Sequence, residues 1–355
     1  MRIIKSIWLN GLASKSRLRL YVWLSLATQI LIVVTGGAVR LTGSGLGCPT
    51  WPMCTDESLT TTPEMGFHGI IEFGNRLLTF VLLIIAILTF AVAIRVHGNI
   101  RRLSLPIVGF FSSAIAMVLF LIADHIFVGI AISFPAMTLF GILLVLRVRE
   151  TKRSGIVVPA FALGLGVIVQ AVLGGITVLT GLNSWIVGAH FLVSMFLIAI
   201  AAVLVFRALP KPIRPVSPVS RALAWPTVFV SLASILAGII VTGAGPHAGD
   251  LNTPRNGFSI EIWQHFHSYP GYLMLALIAV QLFFQLRLSK RLFGDLPTRV
   301  LFILFLVTIC QAVVGIIQAR LGVPALLVGI HMLGASVLAA LVIFQLLFMR
   351  QKNNV

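Results

Sequence analysis

Apolar residues fall into ten long runs along the chain, at 20–40, 70–94, 105–123, 126–146, 156–179, 186–206, 224–243, 261–286, 299–319 and 325–349. The runs are continuous, not alternating, so they do not read as the strands of a barrel. A helix of about 20 apolar residues matches the hydrocarbon core of a bilayer, and in lipid a helix satisfies its own backbone. The pattern predicts an all-α polytopic membrane protein of about ten spans. The stretch 105–146 is broken only by Asp124-His125. It is too long for one span even when tilted, so it is expected to fold as a hairpin with Asp124-His125 at the turn.

Composition sharpens this reading. The 355 residues are 59% hydrophobic and 10% charged, with a mean hydropathy of +1.07, whereas soluble domains carry about 25% charge. The net charge of +17 comes from 26 Lys and Arg against 9 Asp and Glu. These cations sit in short loops between apolar runs, which argues against a nucleic-acid surface and for the positive-inside pattern. With the N-terminus inside, 22 of the 26 fall on the inner side, leaving Arg40, Arg76, Arg255 and Arg320. Both termini are therefore expected in the cytoplasm of a bacterial cell, with the chain multi-pass in the plasma membrane. The basic N-terminal segment lacks a long apolar core and a cleavage site, and reads as a tail.

Two segments repeat. Residues 170–190 (QAVLGGITVLTGLNSWIVGAH) and 311–331 (QAVVGIIQARLGVPALLVGIH) each run from a glutamine, Gln170 or Gln311, to a histidine, His190 or His331, twenty residues later. Upstream, Val34-Thr35-Gly36 and Val241-Thr242-Gly243 each close a span before a sizeable outer loop. Two four-helix bundle units in tandem, in parallel orientation, account for this. The expected organisation is a tail 1–19, a first unit 20–206 with the hairpin 105–146 inserted, a linker 207–223, a second unit 224–349 and a tail 350–355.

Ionisable residues inside spans are costly and point to function. His190 and His331 hold matched places, and each unit adds histidine at the start of its second helix: His68 in one, His265 and His267 in the other. A lone membrane histidine is commonly a packing residue; the matched set suggests two sites of one kind. Zinc would want three or four ligands, and no Cys or carboxylate set completes one. Haem iron needs one or two, which suits facing helices of a bundle, and Gly174-Gly175, Gly329 and Gly334 allow close approach or simply helix packing. Positions 265 and 267 differ by about 200° around a helix, and His267 is the choice to pair with His331. His97, His125 and His247 are expected in loops or turns without a chemical role.

His68, Glu72 and Asn75 stand at i, i+4 and i+7 on one helix face, and Arg76 follows Glu72 by four. Glu72–Arg76 reads either as a structural ion pair or as a carboxylate held near a metal-bound substrate. The loop Leu41–Cys54 holds three glycines and two cysteines, Cys48 and Cys54, six apart. On an oxidising side these can form a disulfide, structural or redox-active.

The strings TGGAVRLTGSGLGCPTWPMC (35–54) and IEFGNRLLT (71–79), with the duplication and the histidine set, resemble haem A synthase, of an actinobacterial-like type. The resemblance covers the chain apart from 105–146. It implies an oxidoreductase that oxidises the C8 methyl of haem O to a formyl for assembly of the terminal oxidase. By resemblance, His267 and His331 are axial ligands of haem b, His190 a ligand of the substrate haem, Glu72 the essential carboxylate, and Cys48–Cys54 the outer-loop disulfide. Asn75 stands where many members have a second substrate-side histidine, so either His68 replaces it or iron is five-coordinate through His190; Arg76 lies beside them. The implied partners are haem O, the farnesyltransferase that makes it, an unidentified electron donor or acceptor and the lipid bilayer, with a homo-oligomer left open. A haem-b electron carrier that leaves haem unaltered is the alternative.

Overall fold

The computed structural model describes residues 14–97, 100–122, 125–150, 154–210 and 214–351. These form eleven α-helices: α1 (Lys15–Leu41), α2 (Gly66–His97), α3 (Ile100–Ile122), α4 (Ile126–Arg149), α5 (Ser154–Leu179), α6 (Ser184–Ala208), the short α7 (Pro218–Ala222), α8 (Ala224–Ala244), α9 (Ile260–Ser289), α10 (Leu296–Arg320) and α11 (Ala325–Met349). A helix thus stands at each of the ten predicted runs. Nine of the described segments are long and apolar enough to cross a membrane, and α3 contributes a shorter apolar stretch, Arg102–Met117. Asp124, at the predicted hairpin turn, and residues 1–13 of the predicted tail lie outside the described residues.

Local chemistry sets the helix boundaries. Asn183 accepts from the Trp185 amide at 3.0 Å to start α6. Asp295 accepts from Thr298 N at 2.8 Å to start α10, with Pro297 in the first turn; both are favoured N-terminal chemistry. Lys290 adopts a left-handed φ of 56° where α9 ends. Large apolar side chains such as Phe80, Ile84 and Phe229 point outward, as expected of a surface solvated by lipid.

Helices α1, α2, α5 and α6 pack in a closed ring, and α8, α9, α10 and α11 in a second. The rings meet where α6 lies against α11, with α1 against α11 and α6 against α8 as matching flanks. Those flanks exchange under swapping of the rings, so the two units face each other across a pseudo-twofold relation. Being central, α6 buries Ile198, Ala201, Ala202, Leu204 and Val205, and Gly188 lets Ile239 of α8 approach closely. The hairpin α3–α4 packs on itself and lies beside α5, outside the first ring.

Buried amides tie the second ring together at the end opposite the disulfide loop. Gln281 of α9 donates to Thr227 Oγ1 of α8 at 2.7 Å and accepts from Gln345 Nε2 of α11. Its backbone carbonyl accepts from Ser220 Oγ of α7 at 2.8 Å. Gln285, one turn on, accepts from Ser217 N at 3.0 Å and donates to Pro215 O at 3.2 Å. Replacing Gln281 by Leu orphans the buried Gln345 Nε2, at a cost of about 1–3 kcal/mol, and leaves Thr227 Oγ1 only its bond to the Leu223 carbonyl. Gln281→Leu should therefore lower the thermal midpoint of the purified protein in detergent by several degrees, whereas the same change at the exposed Phe283 should not.

Candidate functional site

The chain returns from α1 to α2 through the disulfide loop. Cys48 and Cys54 are bonded, with S–S 1.99 Å and Cα–Cα 4.5 Å, while Cys310 is free and exposed. The loop is seated on α2 by backbone contact and by one ion pair. A Cβ on Gly47 would lie 2.3 Å from the His68 carbonyl oxygen, so only glycine allows this approach. The Cys48 amide donates to Glu72 Oε2 at 2.6 Å. Arg76 Nη2 meets Glu72 Oε1 at 2.6 Å, and this is the only salt bridge among the described residues. Arg76 also donates to the carbonyls of Met53, Cys48 and Thr50 at 2.9–3.1 Å. Glu72 is thus ion-paired and also lines a cavity.

That cavity, about 550 Å³, lies within the first ring. Glu72, Asn75 and Arg76 line it from α2, Gln170 and Gly174 from α5, and His190 and Ser194 from α6. Trp51 and Pro52 of the loop close one side. The lining of α2 extends from Glu72 to Leu83, about 16 Å along the helix at 1.5 Å per residue. Its loop end is polar and its deep end is walled by Leu82, Leu83, Val167 and Leu197. Volume and shape suit an amphipathic, ligand-sized molecule.

His68 does not join this group. It is exposed, bonds Ser44 Oγ at 2.8 Å through Nδ1, and lines a separate outer recess with Met65 and Asp250. The expected shared face of His68, Glu72 and Asn75 is interrupted because the Gly47–Cys48 backbone crosses α2 between His68 and Glu72. His68 is thus set apart from the cavity that Asn75 and His190 line. Asn75 itself accepts from Thr35 Oγ1 at 2.8 Å.

The repeated Gln-to-His interval has a structural counterpart. Gln170 Nε2 donates to the His190 carbonyl at 2.9 Å and to Ser194 Oγ. In the second ring Gln311 lies hard against Gly334, three residues past His331. A Cβ on Gly174 would stand 3.5 Å from His190 Cε1, and one on Gly315 would stand 3.6 Å from His331 Cε1. Both histidines leave Nδ1 buried without a hydrogen-bond partner.

In the second ring His267 and His331 face each other with ring centroids 6.0 Å apart at 80°. His267 Nδ1 lies 2.9 Å from the Ser234 carbonyl, so it must donate there, leaving Nε2 with its lone pair. Metal-ligating histidines are commonly oriented in this way. The 6.0 Å separation matches one metal ion bonded to both imidazoles at roughly 2 Å each. Buried imidazole nitrogens without partners, glycine cradles beside them and this donor pair fit a metal-centred group with one or two axial imidazoles. No cluster of three or more His, Cys, Asp or Glu occurs among the described residues. His265 is exposed and stacks near Tyr269, His125 is exposed, and His247 bonds the Val323 carbonyl at 2.8 Å.

Residues singled out only by the structure are Arg40, Trp51, Thr35 and Met332. Arg40 stood out in sequence solely as one of four cations away from the inner loops. Met332, adjacent to His331, packs on Gly37 and lines the first cavity, joined there by Ile239, Thr242, Ala248 and Gly249. The second ring thus supplies part of the first ring's wall.

Removing Arg76 would strip Glu72 of its partner and the loop of three anchors; breaking a buried pair costs about 3–5 kcal/mol. Arg76→Ala should speed reduction of Cys48–Cys54 by a mild thiol at least tenfold, measured by trapping of the released thiols. An unchanged rate would mean that the loop is held independently of this pair.

A family model described as COX15-CtaA, cytochrome oxidase assembly protein, matches residues 19–343. The haem A synthase of Geobacillus thermodenitrificans is 29% identical over 168 residues, covering 44% of this chain and 50% of that protein. That of Geobacillus kaustophilus is 28% identical over 166 residues, covering 43% and 49%. The chain thus spans about half the length of these curated relatives. The protohaem IX farnesyltransferase of Thermus thermophilus is 40% identical over 62 residues, covering 17% of this chain and 10% of that protein.

Proposed function

We propose that this chain, which belongs to the COX15-CtaA family of cytochrome oxidase assembly proteins, is a haem A synthase that oxidises the C8 methyl of haem O to a formyl group through successive hydroxylations. The observation that carries the proposal is the first-ring cavity, which brings an imidazole, His190, and a buried carboxylate, Glu72, to one amphipathic space. A membrane electron carrier would have no evident use for that carboxylate. The similarity to two haem A synthases and to part of a farnesyltransferase supports the same reading.

In this proposal His190 holds the iron of haem O. The apolar deep end of the cavity takes the farnesyl tail, and the disulfide loop keeps the reacting edge dry. Both oxygens of Glu72 are fixed by Arg76 and by the Cys48 amide, so the carboxylate is held in place. From there it stabilises positive charge developing on the methyl carbon, or accepts its proton, without reorganising. The fixed position of the carboxylate is the protein's contribution, while the iron macrocycle carries the oxidation. His267 and His331 are the residues that would hold haem b, which supplies one-electron transfer when bound. The distribution of basic residues supports both termini on the cytoplasmic side of a bacterial plasma membrane, with the disulfide loop outside. Haem O would be received from its farnesyltransferase.

With His68 outside the cavity, His190 is the single protein ligand for substrate iron, and Asn75, bonded to Thr35, faces the cavity without ligating.

The direct test is expression in a host that makes haem O but no haem A, followed by extraction and chromatography with mass detection. Haem A or its hydroxymethyl precursor, absent from the empty-vector control, is the expected product; haem b alone would favour the electron carrier. Glu72→Gln should retain bound haem and accumulate haem O or its alcohol, with haem A reduced at least tenfold. Normal haem A from this variant would remove Glu72 from the chemistry.

The ligand set has its own test. Asn75→His should convert the added first-site haem from a high-spin, carbon-monoxide-binding species to a low-spin, bis-imidazole one, read by absorption and electron paramagnetic resonance. A wild-type first site already low-spin and closed to carbon monoxide would contradict single ligation.

A further inference from the structure

Arg40 is a cation at the mouth of an apolar cavity without an anion. It lies one residue before the end of α1 and lines the first-ring cavity at its loop end. Its side chain crosses to the second ring, donating from Nε to the His247 carbonyl at 2.6 Å and from Nη2 to the Thr242 carbonyl at 2.7 Å. These carbonyls hold the guanidinium in place but do not neutralise it. A second cation, Arg255, donates to the adjacent Pro246 carbonyl at 2.6 Å and to the Thr253 carbonyl at 3.1 Å, so the two guanidinium groups hold consecutive carbonyls of one loop. Arg76, the other cation in the lining, is already neutralised by Glu72.

A half-buried cation beside apolar surface costs free energy unless an anion meets it. Two guanidinium groups on consecutive carbonyls of one loop are still less favourable, and among the described residues no carboxylate pairs with either. The repeat shows that the fold does not require this arrangement. Counting from Val34-Thr35-Gly36 and Val241-Thr242-Gly243, the second-ring counterpart of Arg40 is His247, which is satisfied by the Val323 carbonyl. The uncompensated cation belongs to the first cavity alone. Its far end is walled by Leu82, Leu83, Val167 and Leu197, so the space is cationic at one end and apolar at the other.

We propose that Arg40, with Arg255 behind it, is the anion subsite of the first cavity and binds the propionate carboxylates of the tetrapyrrole, a role resting on the haem-substrate reading above. A planar fork such as guanidinium matches a carboxylate in two hydrogen bonds. This subsite orients the substrate with its propionates toward the disulfide loop and its isoprenoid tail toward the deep apolar wall. It also separates the two rings functionally, because the second ring has no cation at the matching position.

The test compares ferric haem b with its propionate dimethyl ester, each titrated by absorption into purified protein whose second-ring site is already filled with haem b. Wild-type protein should bind the free acid at least tenfold more tightly than the diester. Arg40→Gln should lose at least tenfold in affinity for the free acid, keep its affinity for the diester, and so lose the preference. Arg40→Lys, which keeps the charge without the fork, should retain part of it. Arg255→Gln, at an exposed position, should reduce it by about threefold and serves should Arg40→Gln not fold. Equal weakening of acid and ester by Arg40→Gln would assign Arg40 to joining the rings and overturn the proposal, as would an unchanged preference in both the Arg40 and Arg255 variants. If His190→Ala takes up added haem as wild type does, it is the first-ring haem site that fails, a result distinguishable from either.

Discussion

A charged pair inside an apolar bundle has to be satisfied from within, and the loop end of the first ring is organised around that demand. Glu72 and Arg76 sit one turn apart on α2, where neither can reach bulk water freely. Each is completed by the disulfide loop: the carboxylate by an amide, the guanidinium by three carbonyls. The loop in turn gains a fixed seat although its own backbone makes few regular hydrogen bonds. Consequently the covering of the cavity, the position of Trp51 and the aim of the carboxylate are one structural fact. The disulfide limits how far the loop can stray, but the ion pair decides where it lies.

The two rings show how a duplicated scaffold takes on different tasks with few changes. The Gln-to-His interval is kept, with the same glycine beside each imidazole. The divergent positions are those that face the ligand space. Near the start of the second helix of each unit, one ring carries Glu72, Asn75 and Arg76 and the other carries Gln264, His267 and Ser268. One ring thus has a carboxylate, an amide and a cation where the other has an amide, an imidazole and a hydroxyl. The second ring gathers two imidazoles around one point, an arrangement suited to holding something permanently. The first offers one imidazole and a charged cavity of about 550 Å³, suited to something that arrives and leaves.

Much of this was legible before any coordinates. Span positions followed from hydropathy because, in lipid, a continuous apolar run has few alternatives to a helix. Helical geometry allows only one of His265 and His267 to face His331 without saying which, whereas the proximity of Glu72 to Arg76 follows from their spacing. Periodicity assigns a residue to a helix face, but does not reveal which part of the chain crosses that face. His68 shares a face with Glu72 in the sequence, yet the Gly47 backbone passes between it and the cavity. For the same reason Arg40 reads in sequence only as a cation away from the inner loops: its partners are backbone carbonyls about two hundred residues away, and carbonyls carry no sequence signature.

Met332 has a consequence for how such a protein arises. It belongs to the second ring but walls the first ring's cavity, seated in the space left by Gly37. A chain consisting of a single four-helix unit would lack that wall and would have to borrow it from another copy of itself. Duplication within one gene would then have made an existing pairing permanent, freeing each half to specialise without losing the surface its neighbour depends on.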